Sequence, residues 1–273
     1  MPPEKQTHIP IPSDGFVSYI SHMGDDLTVV NAARVSFSNK HTEFVTDEMQ
    51  LARTGKVQGG DENLIRYLIR HEHFSPFCHP QITLHMRMPI FVARQFMKST
   101  VGVAFNEVSR RYVDDTPAVF KPLADAWRLR AANIKQGSSS DTVTQSELFP
   151  FQGKPIDENV GLTLDLYEEL IEKNVAPELA RVILPLSTYT EFWVTMSLAA
   201  AFRIYRLRTH SHAQKEIQDY ANAMGELITP LFPYSWKHMV AFEENKQKAL
   251  KLVDKAAKLN ISVDELISKL NLS

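Results

Sequence analysis

The stretch Ile82-Thr83-Leu84-His85-Met86-Arg87-Met88-Pro89 alternates apolar and polar side chains and then meets a proline. Period two over these residues predicts a strand with one buried face. Pro89 suits the start of a helix, where its missing N–H would have had no partner. That helix is expected from Ile90 to about Lys98. Upstream, Leu64, Tyr67 and Leu68 recur at helical spacing and predict a helix over 44–70. Between the two lies His73-Phe-Ser-Pro-Phe-Cys-His79, a turn built around Ser75-Pro76. Residues 14–37 read as strand, loop and helix.

Downstream, residues 114–160 are irregular, with several prolines and Gly137-Ser-Ser-Ser140. They read as an inserted excursion holding a short helix near 127–135. An amphipathic helix is expected over 161–175 and a short one from Pro177 to Ile183. Thr188-x-x-Glu191 has capping-box spacing and predicts a long helix to about Leu207. Ser211-x-x-Gln214 predicts the start of another, to Ile228. The tail from Glu243 carries six lysines. It is expected to form two helices, the second capped by Ser262-x-x-Glu265. The sum is one α/β domain in which helices dominate.

The chain has 273 residues, 44% hydrophobic and 23% charged, with formal net charge −2. That length and composition suit a folded core and exclude wholesale disorder. Near-neutral charge gives no reason to expect a nucleic-acid polymer or an anionic membrane as partner. The single cysteine, Cys78, excludes paired-thiol chemistry and a Cys-rich metal site, and points to a reducing compartment. The ten glycines form neither G-x-G-x-x-G nor a P-loop. The polar, Pro-rich start lacks the apolar core of a signal peptide, and no apolar run suits a membrane span. The expectation is a soluble cytoplasmic protein.

Three clusters have chemical potential. His71, His73, His79 and His85 fall within 15 residues. Metal ligation and general-base work stand beside plain backbone bonding at turns, and the spacing fits no metal-ligand pattern. The second cluster is Arg94-Gln95-x-x-Lys98 with Asn106-Glu107-x-Ser109-Arg110-Arg111-Tyr112. A serine and two guanidinium groups suit a phosphate monoester, and Asn and Gln can read an amide edge. The alternative is a solvated face with internal Glu–Arg pairs. The third cluster is Leu207-Arg208-x-x-Ser211-His212-Ala213-Gln214 with Arg203 and Arg206, at a helix junction that favours an anion. Here the alternative is a surface hinge.

The ordered set His73–His79, Pro89–Gln95, Asn106–Tyr112, Arg181-Val-Ile-Leu-Pro185, Tyr189-Thr190 and Leu207–Gln214 resembles the flavin-dependent thymidylate synthase (ThyX) family. The resemblance implies a helix-rich α/β domain around an antiparallel sheet over residues 1–241, with 114–160 inserted and 242–273 as a helical extension. It implies reductive methylation of dUMP to dTMP. Methylenetetrahydrofolate would be the one-carbon donor, NADPH the reductant, FAD the cofactor, and a homotetramer the assembly. By position, Gln95, Lys98, Glu107, Ser109, Arg111, Arg181 and Arg208 fall where the family contacts dUMP, with Arg208 the catalytic arginine. Ser75, Lys98, Ser99, Thr100, Glu107, Ser197 and Arg203 fall at FAD positions. His73 falls near flavin and folate. No metal is implied, and Cys78 becomes a small packing residue. The family's Arg-His-Arg is Lys98-Ser99-Thr100 here, and its Asn-Ala-Arg is Ser197-Leu198-Ala199. These departures keep open C5 hydroxymethylation of dUMP, or a non-catalytic nucleotide-binding relative without flavin.

Overall fold

The predicted strand at 82–88 becomes the middle of a sheet. In the computed structural model it is β3 (Gln81–Pro89). The structure describes residues 7–36, 59–122, 126–131, 138–143 and 156–262. By its internal contacts the chain forms two units, one of residues 1–23 and 80–230, the other of 24–79 and 231–273.

The first unit is built on a five-stranded antiparallel sheet. With β1 (His8–Ile11), β2 (Gly15–Met23), β4 (Val103–Glu107) and β7 (Tyr189–Ser197), its order is β1-β2-β3-β7-β4. Strand β3 pairs with β7 from Gln81↔Ser197 to Pro89↔Tyr189. Ile82, Leu84, Met86 and Met88 are fully buried, as the alternation predicts, beside Met196, Val194 and Phe192 of β7. Burying each such side chain contributes about 1.5–3 kcal/mol. On the other face, Arg87 lies opposite Glu191, and His85 Nε2 is 3.2 Å from Glu191 Oε2.

Helices cover the apolar face. α3 (Ile90–Phe96) follows Pro89 directly and buries Val92, Ala93 and Phe96. Phe96 meets Phe105 and Phe192 at ring distances of 6.1 and 5.9 Å. α6 (Leu198–Arg208) and α7 (Lys215–Ile228) bury Ala201, Ile204, Ile217, Tyr220 and Met224. α4 (Ile156–Glu172) leads to the short α5 (Pro177–Ala180) and a 3₁₀ turn, Arg181–Ile183.

Four expectations are corrected here. Residues 189–197 are a strand, not the first half of a long helix. Phe192, Val194 and Met196 alternate with Glu191, Trp193 and Thr195, and cross-strand pairing overrides the capping-box spacing. The true N-cap is Ser197, whose hydroxyl accepts from Ala200 N at 3.2 Å. Gln214, not Ser211, is the N-cap of α7. Around 127–135 the described residues hold β5 (Arg128–Arg130) rather than a helix, paired with β6 (Ser138–Thr142).

The second unit packs α1 (Asp26–Arg34), α2 (Gly59–Arg70), the 3₁₀ turn Ser75–Cys78 and α8 (Pro233–Leu259). The fourth correction falls on α8, which runs without a break through residue 243, where a new helix was expected. Residues 44–58 and Glu265 lie outside the described residues. Asp25 and Thr28 form a reciprocal capping box on α1. The buried Asp26 accepts from Tyr234 N and Ser235 N, both at 2.9 Å, and so caps α8 from another helix. In α2 it is Ile65, Leu68 and Ile69 that are buried, while Tyr67 is exposed. Among the described residues no helix is long and apolar enough to cross a membrane.

Candidate functional site

The strand–helix joints of the first unit gather most of the residues singled out in the sequence. Gln95 lies in the last turn of α3. Its side-chain amide donates to Gln214 Oε1 at 2.5 Å and to Phe91 O at 3.3 Å. Its backbone carbonyl accepts from Arg208 Nη2, at the end of α6. Two parts of the chain far apart in sequence, Gln95 and the 208–214 segment, therefore meet at one guanidinium and two primary amides. Arg208 Nε is buried with no hydrogen-bond partner among the described residues. Burial pushes this guanidinium below its usual pKa, yet arginine stays charged at any ordinary pH. A half-buried cation with a shielded donor to spare is a receiver for developing negative charge.

A second group forms beyond β4. Glu107, the last residue of that strand, accepts from the buried Thr190 hydroxyl of β7 at 2.6 Å. After Val108 the chain turns. Ser109 O accepts from Tyr112 N at 3.1 Å, and Ser109 Oγ accepts from Arg111 N at 3.4 Å. Arg111 Nε and Nη2 reach Glu178 Oε2 of α5 at 3.3 and 3.2 Å. Arg181 Nε donates to Glu178 O at 3.4 Å. The structure thus brings Ser109, Arg111 and Arg181 around one carboxylate-bearing turn. Oxygen on guanidinium is the chemistry a phosphate would use there.

The third group is the loop after α3. Lys98 is exposed, and Ser99 N bonds to Phe96 O at 3.2 Å. Arg203 Nη2 donates to Val101 O. Gly102 has φ +71°, and a Cβ there would lie 3.0 Å from Ser197 Oγ. Ser197 N donates to Gly102 O at 3.0 Å. The loop of Lys98, Ser99 and Thr100 is thereby fastened to the start of α6. An ammonium, a guanidinium and hydroxyls gather at this joint. That donor set fits an anionic diphosphate.

His73 and Ser75 belong to the second unit. Tyr67, His71 and His73 form a ring cluster, with Tyr67 to His71 at 4.3 Å and His71 to His73 at 6.1 Å. Ser75 opens the 3₁₀ turn. His85 is taken by Glu191 and by an edge contact to Phe16. Among the described residues, no three His, Cys, Asp or Glu side chains come together to hold a metal. Cys78 is exposed and donates to Phe74 O at 3.6 Å, so it fills no core position, contrary to expectation.

Sequence reasoning missed Glu178 as the partner of Arg111. It placed Gln214 in the third cluster and in a capping signal, but not as the partner of Gln95. Glu178-x-x-Arg181 has helical pairing spacing, which was the available clue.

Helices on one face of an antiparallel sheet, with anion-receiving joints at the strand ends, define an α/β protein suited to a small phosphorylated ligand. A family model described as Thymidylate synthase complementing protein (Thy1) matches residues 18–234, and the chain belongs to this family. It is 35% identical over 234 residues to a flavin-dependent thymidylate synthase of Treponema denticola, covering 85% of this chain and 81% of that one. Identity to a flavin-dependent thymidylate synthase of Thermus thermophilus is 36% over 237 residues, covering 87% and 78%. Among solved structures, the UMP/dUMP methylase PolB from Streptomyces cacaoi, bound with 5-Br dUMP, superposes with TM-score 0.69 at 30% identity. That match covers 85% of this chain and 97% of PolB.

Proposed function

We propose that this chain is a flavin-dependent thymidylate synthase. It converts dUMP, methylenetetrahydrofolate, NADPH and a proton into dTMP, tetrahydrofolate and NADP⁺. The observation that carries the reading is the Arg208–Gln95–Gln214 group. A half-buried guanidinium with a shielded Nε, beside two primary amides, matches the imide edge of a pyrimidine, which alternates carbonyl oxygens with N–H. Family membership and the names of the relatives support it.

In this reading Arg208 is the catalytic residue. Held by Gln95 O, its charge favours negative charge on the uracil ring, which raises electron density at C5 for attack on the one-carbon unit. Gln95 orients the base. Ser109, Arg111 and Arg181 receive the phosphate, with Lys98 and Glu107 completing the nucleotide contacts. Lys98, Ser99, Thr100, Ser197, Arg203 and Glu107 of the first unit would hold FAD; Ser75, in the second unit, is assigned to FAD by the family resemblance alone. When bound there and reduced, FAD would supply the hydride that completes the methyl group. His73 would lie near flavin and folate. Residues 1–241 form the catalytic domain, with 114–160 inserted and 242–273 as an extension; the family match ending at residue 234 supports that division. We assign the protein to the cytoplasm as a homotetramer.

The test is product analysis. Protein incubated with dUMP or UMP, methylenetetrahydrofolate, NADPH and FAD is read by mass spectrometry. dTMP from dUMP is expected, with a flavin absorption spectrum in the protein. A hydroxymethyl product, or a colourless protein that binds dUMP without turnover, would overturn the reading.

A further inference from the structure

Arg128 lies on β5, inside the irregular segment 114–160, yet its partner lies in α7. Nη2 donates to Glu216 Oε1 at 2.5 Å, and the two side chains are 22% and 17% exposed. Arg128 Nε also donates to Ser138 Oγ at 2.8 Å, across the β5–β6 hairpin. The guanidinium is thus pinned on one side to the hairpin and on the other to the first turn of α7. Glu216 Oε2 is buried with no hydrogen-bond partner among the described residues, so Arg128 is the carboxylate's main compensation.

Glu216 stands two residues after Gln214, the N-cap of α7. Gln214 Oε1 holds the Gln95 amide, and Gln95 O holds Arg208. From the other side, Gln218 Nε2 donates to Ala213 O at 2.8 Å and closes the same junction. We propose that Arg128 is a positioning residue: the Arg128–Glu216 pair anchors the start of α7, and through it keeps Gln214, Gln95 and Arg208 in nucleotide-receiving geometry. The inserted hairpin is then a working part of the site. This rests on the assignment of dUMP to that group.

The physical reason is the sparing exposure of the pair. Removing one member of a shielded ion pair leaves the other without compensation. Glu216 would then turn toward water and draw the first turn of α7 with it. Gln214, so close along the chain, would follow, and the 2.5 Å amide contact to Gln95 would lengthen.

The experiment compares wild type, Arg128→Ala, Arg128→Lys and the exchanged pair Arg128→Glu/Glu216→Arg. Amide hydrogen exchange is measured over residues 207–218, with dUMP affinity by calorimetry, KM against kcat, and melting temperature. Arg128→Ala is expected to speed exchange over 207–218 and to weaken dUMP binding about tenfold. KM should rise more than kcat falls. Arg128→Lys should restore most of the affinity, because an ammonium still meets the carboxylate. The exchanged pair should recover part of it. Unchanged exchange over 207–218 in a folded Arg128→Ala protein overturns the proposal, whatever the ligand. So does unchanged affinity when wild type binds dUMP. Faster exchange together with a wild type that does not bind dUMP would instead remove the nucleotide reading and leave the anchor standing.

Discussion

Arg111 grips the Glu178 carboxylate through both Nε and Nη2, at 3.3 and 3.2 Å, and both side chains are about half exposed. A pair this exposed is worth about 0–1 kcal/mol. A doubly charged phosphate can displace it. Arg111→Ala is therefore expected to weaken dUMP binding by about 1.5–3 kcal/mol, the scale of a hydrogen bond to a charged group. Glu178→Ala should change stability by under about 1 kcal/mol and leave dUMP binding unchanged or tighter. Calorimetry and thermal melting check both. Tight binding by Arg111→Ala would remove the phosphate assignment.

Arg208 is predicted to matter more for rate than for binding. Arg208→Ala should lower kcat about 10²–10³-fold, the usual cost of losing one preorganised donor to a developing anion. The fold should persist, because the bond from Arg208 to Gln95 O joins two helix ends rather than core elements. Arg208→Lys should recover little, since an ammonium lacks the planar fork. Single-turnover product formation with dUMP separates this from weaker binding.

Asp26 should dominate a pH-dependent part of stability. Burial, the largest cause, raises its pKa despite the two backbone donors at 2.9 Å. An acid whose native pKa is raised contributes stability that is fully present below its unfolded pKa and lost as pH rises through the native value. Asp26→Asn should flatten that decline. Asp26→Ala should cost about 1–3 kcal/mol at all pH, by leaving Tyr234 N and Ser235 N unpaired. Denaturant midpoints from pH 4 to 8 measure this; parallel curves for wild type and Asp26→Asn would refute it.

Gly15 is required by close packing. A Cβ there would collide with the Tyr220 phenol oxygen and lie 2.9 Å from the Tyr220 Cζ. Gly15→Ala should cost about 1–3 kcal/mol by overpacking. Tyr220→Phe in the same chain should recover part of that loss, since the collision with the oxygen disappears. A double-mutant cycle on melting free energies should show coupling beyond about 0.5 kcal/mol, and strict additivity would contradict it.

Much of the candidate site was legible because it sits on short contiguous motifs. Pro89–Gln95 and Asn106–Tyr112 carry their residue types in fixed local order, whatever the surrounding fold. The strand at 189–197 was not. Thr188 and Glu191 have capping-box spacing, but Thr188 precedes β7 and Glu191 lies within it, so they serve no common cap. Glu191 instead meets Arg87 and His85 across the sheet, and Thr188 Oγ1 is buried with no partner among the described residues. Nor was the role of the 114–160 segment legible, because Arg128 and Glu216 are 88 residues apart.

The amino-acid sequence alone determined the central strand and its buried face, the helix that Pro89 opens, and the exclusion of paired-thiol chemistry. These follow from side-chain periodicity, one fixed φ and a residue count, all local properties. Tertiary structure alone decided that Arg208 would lie against Gln95, that Glu178 would occupy Arg111, and that Asp26 would cap a helix beginning some 200 residues later. Each is a contact between charged or polar groups brought together by burial of apolar faces elsewhere. Their positions are set by packing, which no local pattern encodes.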